Sequence, residues 1–186
     1  RLGTRIRPRA EWSLLDPDVV DWVVSSGNRE AVVHLCEMRS IVEPAMAGLA
    51  AIQGDDASIR AIGDALSLME EHVESLEDFI PHDLAFHEAV FRCSDNPFLG
   101  ALSGIVRDAV LTVMVVVQVP EDLRRDRLKL HRNIYEAITV RNRSAATNAM
   151  SALVDAANVD LLSAMDRRGE STLIDYTPEI KKLALE

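Results

Sequence analysis

The 186 residues carry 20 Lys and Arg against 30 Asp and Glu. The resulting net charge of −10 repels phosphate backbones and argues against nucleic-acid binding by this segment itself. Although 48% of the residues are hydrophobic, the longest apolar run, Ala109 to Val119, is broken by Thr112 and Gln118 and falls short of the roughly 18 residues needed to cross a bilayer.

Only 4% of residues are aromatic, with eight Gly and seven Pro, and this composition favours helix over sheet. No signal-peptide pattern opens the chain, which predicts a cytoplasmic protein. Cys36 and Cys93 both fall inside apolar helical patterns and are expected to be reduced core thiols.

In chain order, residues 1–15 are irregular and arginine-rich and are expected to form a linker. Asp16-Pro17-Asp18 supplies a helix start, with a short helix running to about Ser25 before Ser26-Gly27-Asn28 stops it. Further helices are predicted from about Arg29 to Ala51, Ala57 to Ser75, Leu76 to Cys93, Phe98 to Val119, Glu121 to Val140 and Ser144 to Arg168. The β-branched stretch Val113 to Val119 invites a strand, but it continues the helical pattern begun at Leu99 and stops at Pro120. Residues 16–168 are thus expected to form one all-α domain, an antiparallel bundle of six to seven helices, followed by a tail at 169–186.

Three of these helices place polar residues where the periodicity reserves apolar ones. The stripe Val32, Leu35, Arg39, Val42, Met46, Leu49 contains an arginine, whose charge needs an anionic partner if buried. That partner is either Glu43, four residues on, or a ligand carboxylate gripped by the guanidinium. Asp83 and His87 share one face of their helix among Ile80, Leu84, Val90 and Phe91, a spacing that suits a divalent metal and equally a local ion pair. His131 interrupts the stripe of Leu128, Ile134, Tyr135 and Ile138, whereas His72 and His82 fall on more polar faces. Three helices each inserting a polar group point to one polar pocket in the bundle centre.

Four blocks in order carry a family resemblance: Glu37-Met38-Arg39-Ser40-Ile41-Val42-Glu43-Pro44, Asp83-Leu84-Ala85-Phe86-His87-Glu88-Ala89-Val90, Asp95-Asn96-Pro97-Phe98-Leu99, and His131-Arg132-Asn133-Ile134-Tyr135-Glu136-Ala137-Ile138. From about Asp16 to Arg168 the chain resembles the FCD ligand-binding domain, the C-terminal half of FadR-type GntR-family transcription regulators. Gly3-Thr4-Arg5-Ile6-Arg7-Pro8-Arg9 is similar to the end of the winged helix-turn-helix wing and its linker. Asp16-Pro17-Asp18-Val19-Val20-Asp21-Trp22, following Glu11-Trp12, resembles the galactonate-repressor branch, whose members respond to sugar acids.

The resemblance implies a homodimeric repressor that senses a small carboxylate and engages operator DNA only through a module outside this segment. It implies effector-binding residues Arg39, Asp83, His87 and His131, with Asp83, His87 and His131 matching three ligands of a divalent metal such as Zn²⁺ or Ni²⁺. The family's fourth ligand, a histidine, is replaced here by Leu153, so either the three remaining ligands hold the metal more weakly as an open site, or no metal binds and His87 and His131 hydrogen-bond the effector directly while Arg39 pairs its carboxylate. The rival readings are a dimerisation module with an inactive pocket and a metal-dependent enzyme. No nucleophile–base set supports the second, so the protein is not expected to be an enzyme.

Overall fold

The computed structural model describes residues 8, 11–16, 19, 20, 22 and 28–168. Part of the expected linker, most of the expected first helix and the C-terminal tail therefore lie outside the described residues, while residues 11–16 form a run of turns. Within them the chain forms helices α1 (Arg29–Gln53), α2 (Asp56–Glu71), α3 (Leu76–Cys93), α4 (Pro97–Gly100), α5 (Ser103–Val117), α6 (Glu121–Thr139) and α7 (Arg143–Arg168), with no strand among the described residues.

Local chemistry sets the boundaries. Asn28 does not simply end the preceding segment: its side chain accepts from Ala31 N and caps α1. Asp55 caps α2 through Ser58 N, and Ser75 caps α3 through Asp78 N. The expected helix to Ser75 therefore ends sooner, at Glu71, because Ser75 is used to start the next one. Gln118, at φ 50°, closes α5 in the left-handed region just before Pro120.

The single helix expected from Phe98 to Val119 is two. Asn96 caps Phe98 and Leu99, and the short α4 then tightens, with Leu102 N bonding Leu99 O three residues back at 2.9 Å. Gly100 sits at this break, and Phe98 projects into solvent, 88% exposed. Val113 to Val117 is helical, as the continuity of the pattern requires.

The helices stack as antiparallel neighbours. α1 lies along α7 with Arg29 beside Asp166 at one end (2.8 Å) and Gly48 beside Thr147 at the other. A Cβ on Gly48 would fall 2.5 Å from Thr147 Oγ1, so the missing side chain sets the closeness of this pair. α2 and α3 form a hairpin, as do α6 and α7. Arg124 on α6 donates to Val73 O (2.6 Å), Val119 O (2.6 Å) and Glu74 O (2.7 Å), pinning the α2–α3 and α5–α6 turns together.

The core includes Phe79, Phe86, Phe91, Met46, Ile134, Ile138 and Met150, each fully buried. Side chains of this size contribute about 1.5–3 kcal/mol each on burial. Cys36 and Cys93 are free and buried, as expected of core thiols. None of the described helices is long and apolar enough to cross a membrane.

Candidate functional site

α1, α3, α5, α6 and α7 converge on a cavity of about 20 Å³. All four residues singled out from the sequence line it: Arg39 from α1, Asp83 and His87 from α3, and His131 from α6. None is more than 3% exposed. α5 supplies an apolar wall of Val110, Val113 and Met114, and α7 closes the space with Leu153 and Ala157.

The α1 stripe is rotated slightly from the one read in the sequence. Leu35, Val42 and Leu49 are only partly buried, while Cys36, Glu43, Ala47 and Ala50 take the interior. Glu43 is thereby buried completely. Its Oε1 accepts from Arg39 Nε at 2.6 Å, the intrahelical partner foreseen four residues on. Its Oε2 lies 2.6 Å from His87 Nδ1, within ion-pair distance but off-axis for a hydrogen bond. Burial raises the Glu43 carboxyl, but Arg39 and then His87 outweigh it and hold the pKa at about 2.

His131 Nδ1 is 2.8 Å from the backbone oxygen of Arg127. A carbonyl only accepts, so Nδ1 carries a proton and donates to it. The ring's Nε2 lies 3.2 Å from Asp83 Oδ1, without hydrogen-bond alignment. A proton on Nε2, or a metal ion, between the two would make this contact favourable. Burial pushes the Asp83 carboxyl up, yet the neighbouring His131, His87 and Arg39 bring its pKa below the usual value. Asp83 Oδ2 and Arg39 Nη1 are buried without a hydrogen-bond partner. Buried polar atoms are nearly always satisfied, so these two mark where a ligand would be met.

The donor set suits a metal ion. One ligand atom from each of Asp83, His87 and His131 lies within 4.8 Å of the others. Glu43 behind His87 and the Arg127 carbonyl behind His131 are the kind of outer partners that fix ligand tautomers. Leu153, 2% exposed on the cavity wall, offers no fourth donor.

Sequence reasoning passed over Arg127, which also lines the cavity and pairs with Asp160 of α7. The signal was available. Continuing the His131 and Leu128 stripe back by one turn reaches Arg127 and Arg124, both buried. His72 and His82 lie away from the cavity, partly buried against each other with ring centroids 4.7 Å apart.

An all-helical bundle that gathers ionisable side chains around an interior cavity is the architecture in which helical proteins hold small ligands. The chain belongs to the FCD domain family, whose model matches residues 34–156. It is 28% identical over 158 residues to the uncharacterised HTH-type transcriptional regulator YieP of Escherichia coli, covering 83% of this chain and 67% of that protein. It is likewise 28% identical over 154 residues to the galactonate operon transcriptional repressor of Escherichia coli, covering 82% of this chain and 67% of that one. Among solved structures, a GntR protein of Streptococcus agalactiae superposes with a TM-score of 0.57 at 23% identity. That match covers 69% of this chain and 57% of the other, and it supports the all-α bundle fold. The relatives named are transcriptional regulators, not enzymes.

Proposed function

We propose that this domain is the effector-sensing half of a GntR-type transcriptional repressor, and that its cavity binds a small carboxylate such as a sugar acid. The observation that carries this reading is a buried cluster with unmet polar capacity. Arg39 Nη1 and Asp83 Oδ2 border one cavity and have no hydrogen-bond partner. The Arg39–Glu43 bond uses Nε and leaves Nη1 available for an incoming carboxylate, which favours a working pocket over a sealed dimerisation module.

A cavity of about 20 Å³ accommodates a water molecule or an ion but not a six-carbon acid. Effector binding must therefore move helices, and coupling occupancy to helix position is what an allosteric domain requires. Asp83, His87 and His131 would hold a divalent metal, whose positive charge would add to the attraction for a carboxylate. His87 and His131 orient their Nε2 atoms through Glu43 and the Arg127 carbonyl, and Arg39 supplies the guanidinium. The similarity to the galactonate operon repressor favours a sugar acid as effector. DNA contact is assigned to a separate module of a homodimeric, cytoplasmic regulator, because the segment is strongly acidic.

Calorimetric titration with a panel of aldonates, with and without added Zn²⁺ or Ni²⁺, tests the reading. Saturable binding by the wild type that is weakened at least tenfold in Arg39→Ala is expected. A wild-type domain that binds none of the panel, or an Arg39→Ala variant that binds equally well, removes the carboxylate clamp.

A further inference from the structure

Arg127 differs from the other charged groups at the cavity in one respect. Its partner, Asp160, has a side chain 33% exposed, and the Arg127 side chain is itself 6% exposed. The Arg39–Glu43, His87–Glu43 and His131–Asp83 pairs are all 4% exposed or less. Separating a buried pair strands a desolvated charge, whereas a carboxylate that reaches solvent is rehydrated as soon as it lets go. If the cavity enlarges to admit a ligand, the least costly rupture is the one between α6 and α7 at Arg127.

Releasing Asp160 leaves a second guanidinium facing the same cavity as Arg39. The backbone carbonyl of Arg127 accepts from His131 Nδ1, a contact separate from the guanidinium. The side chain can therefore change partner without disturbing the histidine. We infer that Arg127 is a second effector-binding residue that exchanges Asp160 for an anionic group on the far end of the ligand. The preferred effector is accordingly a small diacid, gripped at one end by Arg39 and at the other by Arg127. The inference rests on the effector reading above and specifies its ligand class. Bidentate guanidinium–carboxylate geometry at both ends would supply the discrimination against monoacids.

Comparing galactarate with galactonate tests this, since the two acids share six carbons and differ in the second carboxylate. Titration of the domain should give a dissociation constant at least tenfold lower for galactarate. Arg127→Gln should bring the two constants to within twofold of each other by weakening only the diacid. Asp160→Asn, which frees the guanidinium, should tighten galactarate several-fold and stands as the deciding variant if Arg127→Gln does not fold. Equal wild-type affinities, or an Arg127→Gln variant that weakens both acids alike, overturn the second subsite and leave the effector reading intact. Failure of the wild type to bind either acid, or any aldonate, overturns both.

Discussion

Replacing Glu43 with Gln keeps the side chain's shape and removes one negative charge from the buried interior. Glu43 is fully buried and faces Arg39 and His87, each at 2.6 Å. The change strands the Arg39 guanidinium, which is 2% exposed. Breaking a buried pair by removing one partner costs about 3–5 kcal/mol. Asp83 also acts on Arg39 and compensates in part, which places the expected loss near the lower end, about 3 kcal/mol. For a domain of this size, that corresponds to a fall in melting temperature of about 6–12 °C.

Adding Arg39→Met to Glu43→Gln removes the stranded charge and should recover about 2 kcal/mol, since apolar replacements of buried ion pairs are often neutral. Urea unfolding of the wild type, both single variants and the double variant closes the cycle. A Glu43→Gln loss below about 0.5 kcal/mol, or strictly additive single effects, would refute the picture of a desolvated, mutually dependent pair.

Gly48→Ala forces a methyl against Thr147 Oγ1, 2.5 Å from the position of its Cβ, and should destabilise by about 1–3 kcal/mol in the same unfolding assay. Both thiols should resist a disulfide reagent at pH 8 in the native protein and react within minutes in denaturant. Burial raises Cys36 and pushes Cys93 up to about 11; rapid native labelling of either would contradict their placement. Leu153→His supplies the donor that the cavity wall lacks and should raise Zn²⁺ affinity at least tenfold in a chelator competition. Unchanged affinity there would show that α7 does not face the Asp83, His87 and His131 donors.

Much of this architecture was legible in the sequence because helix caps and stripes are local. Gly54 marks an end that depends on neighbours within a few residues, whereas Ser75, expected to finish one helix, caps the next. The division of Phe98 to Val119 into α4 and α5 was not legible, because it turns on a single hydrogen bond closing three residues back instead of four. Arg39, Asp83, His87 and His131 stood out because each breaks an apolar stripe. Glu43 was recognised only as a partner for Arg39. Its contact with His87 joins α1 to α3, and no pattern within one helix encodes which residues meet across a bundle. Arg127 lay on the continuation of the Leu128 and His131 stripe and was passed over as a solvated charge, while its pairing with Asp160 of α7 is encoded by no pattern within one helix.

The claim on which the rest depends is that a carboxylate enters the space between α1, α3 and α6. The chain has five histidines, so imidazole ¹H–¹⁵N resonances can be followed individually during titration with an aldonate or an aldarate. His87 and His131 line the cavity, whereas His34, His72 and His82 lie elsewhere. Saturable shifts at His87 and His131, with the other three unmoved and with Arg39→Ala abolishing the response, are the predicted result. Ligand binding that leaves His87 and His131 unshifted while moving the other three would place the site elsewhere on the protein and contradict this account.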